Sequence, residues 1–157
     1  MRTTAREIMQ RDLTSVLEND SIQDTVHTLY SHNVSGLPVV DEEWSLIGFI
    51  SESDILKTAV PTYLEVLAQS TFLDGDDECY LVRKFAAIGK SPVKEFMNRE
   101  PVFVGPDTGL MTVADIMLRR GIKRIPVVDE GRLIGIIDRE SFCEYLMEDN
   151  LHHECRC

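Results

Sequence analysis

The chain repeats itself. Laid over itself at an offset of 88, Ile8-Met9 falls on Phe96-Met97, Arg11 on Arg99, Val16 on Val104 and Ile22 on Leu110. Pro38-Val39-Val40-Asp41-Glu42 falls on Pro126-Val127-Val128-Asp129-Glu130. A one-residue deletion then moves the offset to 87, and Leu46-Ile47-Gly48-Phe49-Ile50 meets Leu133-Ile134-Gly135-Ile136-Ile137. A register held over about 45 residues marks two copies of one supersecondary unit, which alone cannot bury its apolar face.

Each copy predicts the same order of elements. A short β segment comes first, at Thr14 to Leu17 and at Val102 to Val104. An amphipathic helix follows, with a stripe of Ile22, Val26, Leu29 and Tyr30 in copy one and of Leu110, Val113, Ala114, Met117 and Leu118 in copy two. Asp20-Ser21 and Asp107-Thr108 are the expected N-caps. Two β-rich runs follow, Leu37 to Val40 with Leu46 to Ile50, and Ile125 to Val128 with Leu133 to Ile137. They read as hairpins with five- and four-residue loops. A closing helix starts at Ser51 or Asp138, so the unit is β-α-β-β-α. The expected organisation is repeat 1 over 1–60, a helical insertion over 61–90, repeat 2 over 91–150 and a tail over 151–157. The insertion has helical stretches around Tyr63 to Phe72 and Tyr80 to Ile88, separated by the acidic loop Asp74-Gly75-Asp76-Asp77-Glu78.

A chain of 157 residues with 43% hydrophobic and 27% charged residues is globular in composition. Its net charge of −11 argues against sequence-independent nucleic-acid binding, which needs a basic surface, and against docking on an anionic membrane. No apolar run approaches the roughly 18 residues of a membrane span, and Met1 to Glu7 contains no apolar signal core. A cytoplasmic location is therefore expected, with Cys79, Cys143, Cys155 and Cys157 as thiols.

The two copies, with Gly36-Leu37-Pro38-Val39-Val40-Asp41 and Gly48-Phe49-Ile50-Ser51-Glu52-Ser53-Asp54 in the first, resemble a tandem pair of CBS (cystathionine beta-synthase) domains, a Bateman module. Arg124-Ile125-Pro126-Val127-Val128-Asp129 and Gly135-Ile136-Ile137-Asp138-Arg139-Glu140-Ser141 carry the likeness in the second. The resemblance covers roughly 5–60 and 92–150. It implies a layered α+β fold, a regulatory role without catalysis, and AMP, ADP, ATP or a related adenosyl ligand in clefts between the copies. It also implies a homodimer and an effector protein that reads the bound state.

The family's nucleotide signature is Gly, two apolar residues, Thr or Ser, two variable residues and Asp, whose carboxylate takes both ribose hydroxyls. Gly48, Ser51 and Asp54 match it. Serine followed three residues later by an acid is equally a capping box, and both roles are compatible. In copy two Asp138 stands at the Thr/Ser place and Ser141 at the Asp place. The second cleft is therefore expected to be weak; its residues would be Thr14, Val34, Ser35, Gly36, Asp138 and Ser141. Arg119, Arg120, Lys123 and Arg124 form a basic island, with no acid between Asp115 and Asp129. In the family a basic pair at the place of Lys123-Arg124 meets phosphate in the cleft whose ribose aspartate belongs to the preceding repeat. The resemblance thus assigns one stronger site to Asp54, Ser51, Phe49, Ile50, Pro101, Val102, Ile122, Lys123 and Arg124. The alternative for Arg124 is an ion pair with an acid, and for Ile50 it is plain core.

Other candidates are weaker. His152, His153, Cys155 and Cys157 could bind a soft metal, but their spacing is too tight for an ordinary structural zinc site. No metal site is expected, and Cys143 is expected in a core. No P-loop, Gly-x-Gly-x-x-Gly or Gly-x-Ser-x-Gly is present, so neither catalytic residues nor a catalytic cofactor is expected. The alternative to a nucleotide sensor is a ligand-independent dimeric interaction scaffold.

Overall fold

The computed structural model describes residues 2–59 and 77–149. In chain order these form α1 (Ala5–Ile8), β1 (Val16–Leu17), α2 (Ile22–Ser31), β2 (Gly36–Val40), β3 (Leu46–Ser51), α3 (Glu52–Ala59) and α4 (Asp77–Ile88). A 3-10 turn (Val93–Glu95) follows, then α5 (Leu110–Arg120), β4 (Arg124–Asp129), β5 (Arg132–Asp138) and α6 (Arg139–Asp149). This is the α+β architecture the repeat predicts.

The chain divides into two compact units whose boundaries cut across the repeats. The first unit holds 1–14, 42–46 and 101–157; the second holds 15–41 and 47–100. Each unit is thus completed by the leading segment of the other copy. In the first unit Ala5 N–H donates to Thr108 O at 2.8 Å, Gln10 N–H to Ile136 O at 2.8 Å and Ile136 N–H to Gln10 O at 3.0 Å. The same three bonds recur in the second: Val93 N–H to Asp20 O at 2.9 Å, Asn98 N–H to Phe49 O at 2.8 Å and Phe49 N–H to Asn98 O at 3.0 Å. Ala5 and Ile8 lie in a core with Val104, Val113, Met117, Ile125, Val127, Ile137 and Phe142. Val93 and Met97 lie in a core with Val16, Ile22, Leu29, Leu37, Val39, Ile50 and Ile55.

In the second unit β1, β2 and β3 form one sheet, with β1 parallel to β2 through Val16↔Val39 and Leu17↔Val40. In the first, β4 and β5 are antiparallel, with Arg124 opposite Asp138 and a register shift between Val127 and Val128. The segment Val102 to Val104 forms no strand; Val104 makes a single parallel bridge to Val127. The β4–β5 loop is tighter than the four residues expected. Glu130 and Gly131 alone make the turn, with φ of 49° and 82°, the left-handed pair that a two-residue hairpin requires. The β2–β3 loop belongs to the first unit, where Leu133 N–H donates to Trp44 O at 2.9 Å.

The helix stripes need correction. On α2 the buried residues are Ile22, Thr25 and Leu29, while Val26 and Tyr30 are exposed, Tyr30 to 87%. Thr25 can occupy the core because its hydroxyl donates to Ser21 O at 2.9 Å, hiding its polarity within the helix. On α5 Val113 and Met117 are buried, but Leu118 is 75% exposed. Ser21 caps α2, accepting from Asp24 N–H at 3.1 Å. The N-cap of α5 is Gly109, with neither Asp107 nor Thr108 in that role. Asp77 and Glu78 begin α4 and are not loop. Cys143 is exposed, because α6 turns Phe142 inward beside it. The stretch Tyr63 to Phe72, Asp74 to Asp76 and the His/Cys tail lie outside the described residues.

Candidate functional site

In the second unit the end of β3 and the start of α3 meet the entry to β2. Glu52 N–H donates to Ser35 O at 3.0 Å, tying the two segments together. Gly36 has no room for a side chain: a Cβ there would lie 2.5 Å from the Phe49 ring and 3.1 Å from Ile50 O. The helix start is a closed box. Asp54 Oδ2 accepts from Ser51 N–H at 2.9 Å and from Ser51 Oγ at 2.9 Å. Asp54 N–H lies 3.3 Å from Ser51 Oγ in return. The capping role of Ser51-x-x-Asp54 is therefore satisfied through one carboxylate oxygen. Among the described residues no donor is assigned to Asp54 Oδ1. Ser51, Asp54 and Phe49 are half-buried, and Ile50 is fully buried, a core residue of its sheet.

In the first unit the same places carry different chemistry. Arg139 N–H donates to Lys123 O at 2.9 Å, as Glu52 does to Ser35. The Arg139 guanidinium also donates to Ile122 O, from Nε at 3.3 Å and Nη2 at 3.0 Å. Arg124 Nε donates to Asp138 Oδ1 at 2.6 Å across the β4–β5 ladder. The Arg124 side chain is only 6% exposed and that of Asp138 23%. Ser141 Oγ accepts from Gln10 Nε2, so the hydroxyl at the aspartate place is held by the leading segment. Lys123 is exposed, while Ile122, Pro101 and Val102 are half-buried. Thr14, Val34 and Ser35 are half-buried as well.

The structure brings Ser51 to Asp54, Ser35 to Glu52, Gly36 to Phe49, Arg124 to Asp138, and Ser141 to Gln10. Asp54 and Arg124 belong to different compact units. The basic island is partly neutralised, since Arg119 Nε also reaches Asp115 Oδ1 at 2.6 Å, one helical turn away on exposed surface. Sequence reasoning passed over Gln10 and Arg139. Gln10 shares its place with Asn98 at the 88-residue offset, a signal too short to stand out. Among the described residues no group of three or more His, Cys, Asp or Glu could hold a metal, and no helix is long and apolar enough to cross a membrane.

Comparison with known proteins gives these places a family. The family model "CBS domain" matches residues 5–60 and 93–148. Protein MJ1426 of Methanocaldococcus jannaschii is 32% identical over 155 residues, which cover 90% of each chain. Protein MJ1225 of the same organism is 31% identical over 144 residues, but the match spans 92% of this chain and only 43% of MJ1225. Arabidopsis thaliana CBSX2, a chloroplastic CBS domain-containing protein, is 32% identical over 138 residues, 83% of this chain and 57% of that one. Among solved structures, CBSX2 in complex with AMP superposes with a TM-score of 0.71 at 27% identity, covering 94% of this chain and 98% of that one. The CBS domain pair of MJ0100, in complex with 5-methylthioadenosine and S-adenosyl-L-methionine, superposes with a TM-score of 0.68 at 26% identity. That superposition covers 95% of this chain and 99% of that one.

Proposed function

The chain belongs to the CBS domain family, as a tandem pair, and we propose that it is a regulatory module that binds an adenosyl ligand, with AMP, ADP and ATP as the candidates. The observation that carries this reading is the Asp54 carboxylate. The capping box orients it through Oδ2, and Oδ1 remains to accept from ribose hydroxyls. The ligands in the CBSX2 and MJ0100 complexes are adenosyl compounds, which supports the class but not one member of it. The proposed roles follow the signature. By that resemblance Asp54 and Ser51 would meet ribose, Phe49, Pro101, Val102 and Ile122 would be the adenine residues, and Lys123 and Arg124 the phosphate residues. Ile50, fully buried, supports Phe49 from the core. Thr14, Val34, Ser35, Gly36, Asp138 and Ser141 make a weaker second set, because Asp138 and Ser141 are already bonded to Arg124 and Gln10.

No catalytic step belongs to this reading. Ligand binding would act through differential affinity for two states of the module, read by an effector protein in the cytoplasm. The test is a thermal-shift and calorimetric screen of ligand-stripped protein with adenosine, AMP, ADP, ATP and S-adenosylmethionine. A ligand at 100 times its Kd should stabilise by about 2.7 kcal/mol. Asp54→Asn, which keeps a capping acceptor, should abolish most of that shift, and Ser141→Ala should leave it unchanged. Absence of any shift in the wild type, or equal losses in the two variants, would overturn the reading.

A second reading, a ligand-independent dimeric scaffold, is favoured by one observation. Tyr30 on α2 and Leu118 on α5 occupy the same place in the two copies and are 87% and 75% exposed. Large apolar groups left outside at both repeats suit a self-association face. Sedimentation of Tyr30→Ser and Leu118→Ser without ligand checks it; an unchanged oligomeric state would exclude it.

A further inference from the structure

The leading segments of the two units share one backbone frame but carry different side chains. Gln10 exchanges two bonds with Ile136, and Asn98 exchanges the same two with Phe49. Gln10 and Asn98 correspond at the offset of 88, Ser141 and Asp54 at 87. In the first unit the two places are joined, because Gln10 Nε2 donates to Ser141 Oγ. Asn98 and Asp54 have the same combined reach, since the amide is one bond shorter and the carboxylate one bond longer.

Yet each is held by a local bond of its own. Asn98 Oδ1 accepts from Glu100 N–H at 3.0 Å, and Asp54 Oδ2 accepts from Ser51. Among the described residues nothing accepts from Asn98 Nδ2 and nothing donates to Asp54 Oδ1. Ser51, Asp54 and Asn98 all belong to the second unit. Asn98 is exposed and Asp54 half-buried, so both are open to a ligand from solvent. An unused amide donor and an unused carboxylate acceptor, at places that touch in the other unit, suit one group that both donates and accepts. A hydroxyl is such a group. A phosphate would meet the carboxylate as a like charge, and an ammonium offers the amide no acceptor.

We propose that Asn98 is a specificity-determining residue that reads a ribose hydroxyl: the hydroxyl donates to Asp54 Oδ1 and accepts from Asn98 Nδ2. This rests on the adenosyl-binding reading above and adds a residue to its ribose end. It makes the site select ribonucleosides over deoxyribonucleosides by more than the carboxylate alone provides.

The test is calorimetric titration of the full chain with adenosine, 2′-deoxyadenosine and 3′-deoxyadenosine. The proteins are wild type, Asn98→Ala and Asn98→Ser, the last keeping a short acceptor for Glu100 N–H. Both variants should weaken adenosine about three- to tenfold, the loss of one neutral hydrogen bond. At least one deoxy analogue should keep its wild-type Kd in both, because it lacks the hydroxyl that the amide reads. In proton–nitrogen NMR spectra the Asn98 side-chain amide pair, assigned by its absence in Asn98→Ala, should shift on saturation with adenosine. That readout decides where an analogue binds too weakly to titrate. Unchanged adenosine affinity in both variants, an equal loss for adenosine and both analogues, or an unmoved amide pair would overturn the proposal. If adenosine binds, Asp54→Asn abolishes that binding and Asn98→Ala does not alter it, the adenosyl reading stands and Asn98 alone is refuted. If no adenosyl compound binds the wild type, both readings fall together.

Discussion

Gly135→Ala tests the exchange of leading segments at a close approach to backbone. A Cβ at Gly135 would lie 2.9 Å from the Gln10 carbonyl oxygen, 2.6 Å from Met9 Sδ and 2.9 Å from Met9 Cγ. The methionine can swing aside, but the carbonyl cannot. It is held by the paired bonds between Gln10 and Ile136, at 2.8 and 3.0 Å, and by Ala5 and Ile8 anchored in the core. Relief of the clash needs a backbone movement of a few tenths of an ångström. Losing both bonds costs about 2 kcal/mol at about 1 kcal/mol each. Displacing Ile8 from its core would add about 2 kcal/mol. The expected loss is thus about 2–4 kcal/mol, which lowers Tm by roughly 5–15 °C at 2–4 °C per kcal/mol for a chain of this size. Gly105→Ala is the control, since its Cβ would meet only Thr108 Oγ1 at 3.9 Å. Thermal melts followed by circular dichroism, with hydrogen exchange at the Gln10 and Ile136 amides, measure the effect. A Gly135→Ala melt within 2 °C of wild type, with both amides still protected, would refute the reasoning.

Two further substitutions probe polar groups that the fold has committed. Arg124→Met should cost about 3 kcal/mol in urea unfolding, because it leaves Asp138 without its guanidinium, whereas Arg124→Met/Asp138→Leu should recover most of that loss; equal losses would show that the pair is not coupled. Ser21→Ala should cost about 1 kcal/mol by removing the cap on Asp24 N–H, and Ser21→Gly only a few tenths.

The repeat made the order of elements legible, because apolar runs and turn residues recur at a constant offset and each copy corroborates the other. What it concealed follows from the same symmetry. An offset relates residues to their counterparts and says nothing about which copy a segment packs on, so the placement of 1–14 beside 101–157 had no signal. Thr25 is not legible as core because its hydroxyl is satisfied inside its own helix, and apolarity alone puts Tyr30 on the stripe although it is exposed. At the site, Ser51 and Asp54 were legible because their bonds are local, three residues apart. The Arg124–Asp138 pair was half legible. The sequence shows an acid at an unexpected place and a cation in a stretch with no acid between Asp115 and Asp129, but only the strand register sets them opposite one another.

That exchange has a consequence for how the two units fail. Removing residues 2–12 takes Ala5 and Ile8 from the core of the first unit. It also takes the donors of three backbone bonds, to Thr108, Pro106 and Ile136, and the exposed Arg6–Asp129 ion pair. The ion pair, at 50% and 44% exposure, contributes little. Two buried side chains and the lost ladder bonds are of order 5 kcal/mol, comparable with the whole stability of a small domain. The second unit keeps its own borrowed segment, Val93 to Asn98, intact. Hydrogen exchange on the truncated chain should therefore show lost protection at Val113, Ile125 and Val127. Val39 and Ile50, in the other copy from the one that residues 2–12 complete, should keep theirs. Uniform deprotection of both sets, or loss confined to residues 15–60, would refute the exchange, since that pattern is what a repeat packing on its own leading segment would produce.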